Sequence, residues 1–400
     1  IRSPIDLAGL EKFLATANVP DSGSTLGSET KWPPAGIQVP LSIQQFKFGQ
    51  LNPTYYIKDA RGKEFVLRRK PSPNAKLVLK LAHAIEREFF MLRGIEVCNK
   101  TTSKKIPVPI VHLLCEDESV IGFVFYLMQY VDGRLIKNPE MPEISSLQQE
   151  TYWNTIMDTI TAIHSLDSTL LAKQLPAKHF PQFQPEKLKQ LSKSSYFQRQ
   201  LKTLSAVSKG QLQTVDPIPH LEKIVSWISA KAPGDPDKLT LIHGDCKIDN
   251  FLFHPSEPRV VAVLDWELCT FGHPIFDLAN FLQPFQIPQA LNLMFYYPEV
   301  TTIGIEKEGA TEFLNERLRL YQSKLGHVWS QTDPKNNPLD AWRVGYVFGL
   351  FRLCVISQGI GMRIKKGSAS SAQAESFGSM YKHLAELAIE YMEHGGLLKL

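Results

Sequence analysis

Three polar residues stand out in the stretch Leu241–Asn250, LIHGDCKIDN, and its continuation Val260–Asn280, VVAVLDWELCTFGHPIFDLAN: Asp245, Asn250 and Asp265. Apolar residues ahead of them predict short buried strands that end where the polar groups begin, so a rigid scaffold can hold those groups toward a cleft. A Mg2+-nucleotide site needs this set. One carboxylate orients or deprotonates an alcohol, while an amide oxygen and a second carboxylate serve as hard oxygen ligands. Asp265 follows Val261, Ala262, Val263 and Leu264, where an unpaired charge would be costly. A metal supplies a partner; Arg259 or Lys247 is the alternative.

His243-Gly244-Asp245 with Asn250, then Leu264-Asp265-Trp266-Glu267, then Gly272-His273-Pro274 with Asp277-Leu278-Ala279, resembles the aminoglycoside phosphotransferase and choline kinase superfamily. Within it, the pattern is most similar to the kinase-like domain associated with acyl-CoA dehydrogenases and its stand-alone relatives. Either half of the motif alone would be weak; the combination is specific. The resemblance implies an α+β, two-lobed protein-kinase-like fold, with a small antiparallel-sheet N-lobe, a larger mostly helical C-lobe and a nucleotide cleft. It implies ATP and Mg2+ as cofactors, Asp245 as the catalytic aspartate, Asn250 and Asp265 as metal ligands, and Lys247 near the transferring phosphoryl group. His243 is then a support for the loop, His164 a packing residue and Asp277 a hydrogen-bonding support. Glu267 assists the metal or the substrate end. The antibiotic kinases commonly carry aspartate where this chain has His273, which argues against transferring their specificity.

The elements that must position these groups follow along the chain. Residues 1–41 read as an arm with a short amphipathic helix over Leu7–Thr16 and no assigned role in the fold. Residues 42–131 read as the nucleotide-binding lobe, with alternating strands and a hairpin at Asp59-Ala60-Arg61-Gly62. FGQLNPT (Phe48–Thr54) occupies the place of a phosphate-covering loop, where Gly49, Asn52 and Thr54 would approach the phosphates. Read alone, it is a surface hairpin. Arg68 stands where relatives carry a strand cation, with Arg69 its rival. Glu88, in a helix-length stretch over Leu77–Leu92, is the expected anchor of that cation, with Glu86 its rival on another helix face. Gln129-Tyr130-Val131 resembles a hinge, whose Gln129 and Val131 backbone groups would read the purine edge.

Residues 132–400 read as the catalytic and substrate-binding lobe. Helices are expected over Ile144–Leu166, Gly309–Gly326, Trp342–Gly361 and Ser376–Tyr391, with glycines allowing close packing in the third. Ser368–Ala372 reads as a mobile segment.

Bulk properties exclude several classes. The 400 residues carry a formal charge of only +4, without the concentrated basic stripe of a nucleic-acid binder. No apolar run reaches about 18 residues, so no membrane span is read. The five cysteines lack CxxC spacing, which argues against zinc and disulfide frameworks and for a reducing intracellular compartment, cytoplasmic or mitochondrial. The sequence begins at Ile1 rather than Met, so targeting is not read from it. A G-x-S-x-G elbow is absent.

The expected activity is transfer of the ATP γ-phosphoryl group to a small-molecule hydroxyl. For the dehydrogenase-associated branch, the resemblance implies a hydroxyacyl-CoA or hydroxy acid and hence a place in acyl-CoA metabolism. Alternatives are an amino-alcohol, sugar or aminoglycoside kinase, or a nucleotide-binding pseudokinase or interaction module. ATP against GTP preference and oligomeric state are not legible.

Overall fold

The computed structural model describes residues 4–16, 36–46, 52–71, 85–191, 194–295, 303–367 and 377–395. Along the chain come α1 (Leu7–Thr16), β1 (Ser42–Gln45), β2 (Thr54–Lys58), β3 (Glu64–Arg69), α2 (Ile85–Asn99), β4 (Val111–Cys115), β5 (Phe125–Gln129) and β6 (Arg134–Leu135). Helices α3 (Ser146–Ser165), α4 (Ser168–Gln174), α5 (Pro185–Leu191), α6 (Tyr196–Gln211) and α7 (Leu221–Lys231) follow. The motif block holds β7 (Leu241–Ile242), β8 (Phe251–Phe253), β9 (Val260–Val263), β10 (Thr270–Phe271) and α8 (Ile275–Leu282). After it come α9 (Gln289–Phe295), α10 (Ala310–Leu325), α11 (Pro338–Lys365) and α12 (Tyr381–His394).

These elements form two compact units. The first comprises Ile1–Arg134, Thr169–Pro185 and Phe251–Cys269; the second comprises Leu135–Ser168, Glu186–Asn250 and Thr270–Leu400.

The first unit is built on an antiparallel sheet in the order β1-β2-β3-β5-β4. Its β2–β3 connection is the expected hairpin. Asp59 Oδ1 accepts the backbone N–H groups of Arg61 and Lys63. Gly62 takes a φ of 84°, a conformation glycine adopts without steric cost. The two-residue period of β3 decides where its arginines go. Phe65 and Leu67 join Tyr55, Ile57, Phe125 and Leu127 in a core closed by Leu10 and Leu14 of α1. The N-terminal helix, given no role from sequence, therefore covers one sheet face. Arg69 shares that face: its Nε donates to the Tyr55 hydroxyl at 3.1 Å and its guanidinium lies 3.9 Å from the Phe123 ring centroid. Arg68 goes to the other face. Helix α2 begins at Ile85 among the described residues; the expected start at Leu77 lies outside them. The β8–β9 hairpin belongs to this unit and delivers Asp265.

The second unit is mainly helical. Its spine is α11, which packs against α6, α7, α8, α10 and α12. A Cβ on Gly345 would lie 2.5 Å from Ile275 Cγ1, so glycine sets the close approach of α11 to α8. Helix α11 has the length and apolar character to cross a bilayer, with a mean hydropathy of 1.4, yet 67% of that window is buried within the protein. Its apolarity serves the core. The short β7–β10 ladder, Leu241 with Phe271 and Ile242 with Thr270, lies beside α3 and leads into the His243-Gly244-Asp245 loop.

Candidate active site

The catalytic-loop candidate in the second unit is held at nearly every backbone group. The fully buried Asp277, in the first turn of α8, accepts the His243 N–H on Oδ2 at 2.6 Å and the Gly244 N–H on Oδ1 at 2.9 Å. His243 Nδ1 accepts from the Asp245 N–H at 3.3 Å, the Gly244 carbonyl accepts from Arg352 at 3.2 Å, and the Cys246 carbonyl accepts from Asn280 Nδ2 at 2.9 Å. Gly244 adopts a φ of 81°, which glycine permits. A loop with its peptide groups spoken for has little freedom left, so the Asp245 side chain is presented from a fixed base.

Asp277 is itself held. His164 Nε2 lies 3.1 Å from Asp277 Oδ2, while His164 Nδ1 lies 2.8 Å from the Tyr321 hydroxyl, which also accepts from Trp329 Nε1 at 3.3 Å. His164 is thus a structural histidine, and Asp277 a support for the loop, as the sequence suggested. His273 is fully buried. Its Nδ1 accepts the Ile275 N–H at 3.2 Å, capping α8, and its Nε2 meets Asn336 Oδ1 at 2.9 Å. Burial pushes its pKa down to about 4.

Asp245 keeps 28% of its side chain exposed, so an incoming group can reach it. Asn250 Nδ2 donates to the Asp245 carbonyl at 2.8 Å and to Asp245 Oδ2 at 3.2 Å, so the amide nitrogen is committed to the loop. Lys247 Nζ lies 3.4 Å from Asp245 Oδ2 and 3.8 Å from Asp249 Oδ2. Burial raises the Asp245 pKa, but Lys247, Arg352 and the Asn250 bond outweigh it and hold the carboxyl below its ordinary value. Asp245 is therefore ionised at neutral pH.

In the first unit, Arg68 Nη1 lies 2.7 Å from Glu88 Oε1 and 2.7 Å from Asp265 Oδ1. Burial opposes the charge on Arg68, but these two carboxylates keep it protonated well above its ordinary range. Burial pushes Glu88 upward against the pull of Arg68, and the Asp265 charge adds to that push. Glu88 also accepts the Trp266 N–H at 3.3 Å. Glu86 pairs with Lys70 instead. Asp265 adopts a φ of 62°, a left-handed conformation uncommon outside glycine. Its side chain is 42% exposed. The alternative cations expected for it, Arg259 and Lys247, are engaged elsewhere. Arg259 pairs with Glu257 at 3.1 Å, Lys247 with Asp245 and Asp249, and the cation on Asp265 is Arg68.

Asn52 Nδ2 donates to Glu267 Oε2 at 2.8 Å, and Thr54 Oγ1 donates to the Asn52 carbonyl at 3.0 Å; Gly49 lies outside the described residues. Asn52 Oδ1 and Arg68 Nε are buried polar atoms without a hydrogen-bond partner among the described residues. The Gln129 N–H donates to the Ile110 carbonyl at 2.8 Å and Gln129 Oε1 accepts the Ile110 N–H at 3.2 Å, so both groups are committed to the sheet edge. Val131 follows β5 in an irregular segment. Among the described residues there is no cluster of three or more His, Cys, Asp or Glu with metal-site geometry.

Arg352 and Asn280 escaped the sequence reading. Arg352 had a signal, being the only charge between Val344 and Met362 in an apolar helix. Asn280 had none beyond closing the DLAN motif.

Residues 42–303 match the model of the phosphotransferase enzyme family. The chain belongs to that family. Its sequence is 33% identical over 359 residues to acyl-CoA dehydrogenase family member 10 of Mus musculus, covering 89% of this chain and 30% of the relative. Member 11 of Gallus gallus is also 33% identical, over 357 residues, covering 89% and 41%. The chain thus spans well under half of these relatives. Among solved structures, a candidate aminoglycoside phosphotransferase from Ralstonia eutropha superposes with a TM-score of 0.68 at 29% identity, covering 99% of this chain and 100% of that one. The ADP-bound aminoglycoside phosphotransferase APH(2'')-Ib gives 0.51 at 16% identity, covering 87% and 94%, a likeness of fold. The phosphotransferase family fold is thus the protein-kinase-like α+β fold, with an N-terminal antiparallel sheet and a larger helical part.

Proposed function

We propose that this member of the phosphotransferase family transfers the γ-phosphoryl group of ATP to the hydroxyl of a small molecule, a hydroxy acid or hydroxyacyl-CoA. The observation that carries the reading is the ionised, partly exposed Asp245 on a loop clamped by Asp277. Such a carboxylate accepts a hydrogen bond from the acceptor hydroxyl and takes its proton as the oxygen bonds to phosphorus. Lys247 stands beside it and can shift from Asp245 to the transferring phosphoryl oxygens.

The donor set fits a magnesium nucleotide. Arg68 is one cation shared by two carboxylates, so Arg68, Glu88 and Asp265 carry a net charge of −1 and tolerate phosphates only with a further cation. Asn250 Oδ1 and the exposed Asp265 carboxylate are hard oxygen donors suited to Mg2+. A bound Mg2+ would neutralise the phosphate charge that develops during transfer. Arg68, oriented by Glu88, would hold phosphate oxygens. The Gln129 N–H is committed to Ile110, and the Val131 backbone would serve as a hinge contact to the purine.

The hydroxyacyl assignment is supported by the two dehydrogenase-named relatives. The test is Mg2+-dependent ATP consumption with 4-hydroxyacyl-CoAs, free hydroxy acids, choline, sugars and aminoglycosides, with Asp245→Asn alongside. Phosphorylated product from the first two classes, reduced at least about a hundredfold in the variant, is expected. An unchanged variant rate would overturn the role of Asp245. Tight ADP binding without turnover would favour a nucleotide-binding module.

A further inference from the structure

Arg352 sits mid-way along α11, half-buried, within the second unit. Its Nη2 donates to the Gly244 carbonyl at 3.2 Å, and its Cζ lies 5.0 Å from the centroid of the Phe276 ring. A carbonyl and a ring fix the guanidinium plane, and its charge acts on the Asp245 carboxyl. Three other arginines of this unit hold carboxylates, Arg317 with Glu150 at 2.7 Å, Arg319 with Glu312 at 3.2 Å and Arg199 with Asp235 at 3.6 Å, whereas Arg343 holds the Tyr391 and Met392 carbonyls and the Trp227 ring. Among the described residues, no carboxylate forms an ion pair with Arg352. Its charge is felt at Asp245, a carboxylate that Lys247 shares.

Its position gives that charge a use. The bond to Gly244 sets Arg352 one residue from Asp245, and Lys247 lies on the same carboxylate. A cationic acceptor such as an amino sugar or amino alcohol, bringing its hydroxyl to Asp245, would meet both like charges. An anionic acceptor would meet a guanidinium already oriented, with N–H donors beyond the one given to Gly244. Like-charge repulsion and charge-assisted bonding then discriminate in the same direction.

We propose that Arg352 is a specificity residue of the acceptor subsite, binding an oxyanion carried by the hydroxyl substrate. The acceptor is an anionic alcohol, its charge coming from the carboxylate of a free hydroxy acid or from the phosphates of its carrier thioester. The inference rests on the assignment of Asp245 as the acceptor-facing carboxylate.

The test uses four-carbon alcohols matched in length: 4-hydroxybutyrate, 4-hydroxybutyryl-CoA, 1,4-butanediol and 4-amino-1-butanol. Affinities are measured by NMR saturation transfer for wild type, Arg352→Gln and Arg352→Lys, with ADP binding and thermal melting as checks on folding. At least one anionic probe is expected to bind wild type about tenfold or more tighter than the diol, with the amine weakest, as a charge-assisted bond implies. The free acid and the thioester separate the two sources of the charge. Arg352→Gln brings the anion to the level of the diol, and Arg352→Lys retains part of the preference. A merely loosened loop would weaken all four probes alike. Anions binding no tighter than the diol to wild type, or an anion preference that survives Arg352→Gln, would overturn the proposal. Phosphoryl transfer by Asp245→Asn is read in parallel. If it persists while the anion preference follows Arg352, the catalytic assignment falls and the oxyanion site stands.

Discussion

Asp277 Oδ2 accepts the backbone N–H of His243 at 2.6 Å, joining the first turn of α8 to the start of the catalytic-loop candidate. The same carboxylate takes the Gly244 N–H and meets His164, so one side chain serves three donors in a site without solvent. Asp277→Ala leaves those donors buried and unpaired, and a loss of about 3 kcal/mol in unfolding free energy is expected. Asp277→Asn preserves shape and one acceptor, so a smaller loss is expected, with transferase activity falling further than stability. Urea unfolding alongside steady-state rates separates the two. A variant as stable and active as wild type would remove Asp277 from its supporting role.

The backbone of Asp265 makes a different prediction. Its φ is 62°. A residue with a Cβ is strained there, and asparagine and aspartate bear this best because their short polar side chains bond locally. Asp265→Asn is therefore expected to fold with a stability within about 1 kcal/mol of wild type. Its amide is a poorer ligand for a hard cation, so the Mg2+-dependent part of ADP affinity should fall about tenfold or more. Calorimetry with and without Mg2+ checks this. Equal Mg2+ dependence in both proteins would exclude Asp265 as a metal ligand.

How much of this was legible beforehand follows from what each feature depends on. The two-residue period of β3 is local, so sequence narrowed the cation to Arg68 or Arg69, and the direction of the strand then settled which faced Glu88. Asp277 lies in a motif whose buried carboxylate requires partners, and it finds them in the His243 and Gly244 N–H groups and in His164. The alternative cations for Asp265, Arg259 and Lys247, are near it in sequence, whereas Arg68, which pairs with it, lies 197 residues away. Phosphate-loop residues were assigned by position, yet the Asn52 amide donates to Glu267, a contact 215 residues apart that no periodicity announces. Arg352 was visible only as a charge in an apolar helix; what it touches depends on tertiary packing.

The amphipathic N-terminal helix, to which the sequence assigns no role in the fold, packs into the core of the first unit. Leu10 is fully buried on the sheet face with Tyr55, Leu67 and Phe125, while Glu11 accepts the Leu41 N–H at 2.7 Å. Leu10→Ala removes buried methyl groups from a filled core, and such changes cost about 2–5 kcal/mol. The loss should appear in urea unfolding of the full chain. A change below about 0.5 kcal/mol, the range of surface substitutions, would mean that α1 does not contribute to the core.

His273 gives the fold an acid sensitivity with a defined sign. Asn336 Nδ2 donates to the Gly234 carbonyl at 3.0 Å, so Asn336 presents Oδ1 to His273 Nε2, which must carry the proton. Nδ1 accepts the Ile275 N–H and has no room for a second proton. Burial disfavours the charged ring and, against the Asn336 bond, pushes its pKa down to about 4. An unfolded histidine titrates near ~6.5. Above that pH both states are neutral and the full stability is present. As pH falls from about 6.5 toward about 4, the unfolded chain takes a proton that the folded chain refuses, and up to roughly 3 kcal/mol is lost. Below about 4 the folded ring protonates too and this contribution levels off. His273→Asn keeps an acceptor for Ile275 and a donor for Asn336 without titrating. His112, whose pKa burial also lowers to about 4, keeps its own share in either protein. Unfolding free energies between pH 7.5 and 4.5 should therefore fall less steeply in His273→Asn than in wild type. Parallel profiles would mean that the ring is not held neutral.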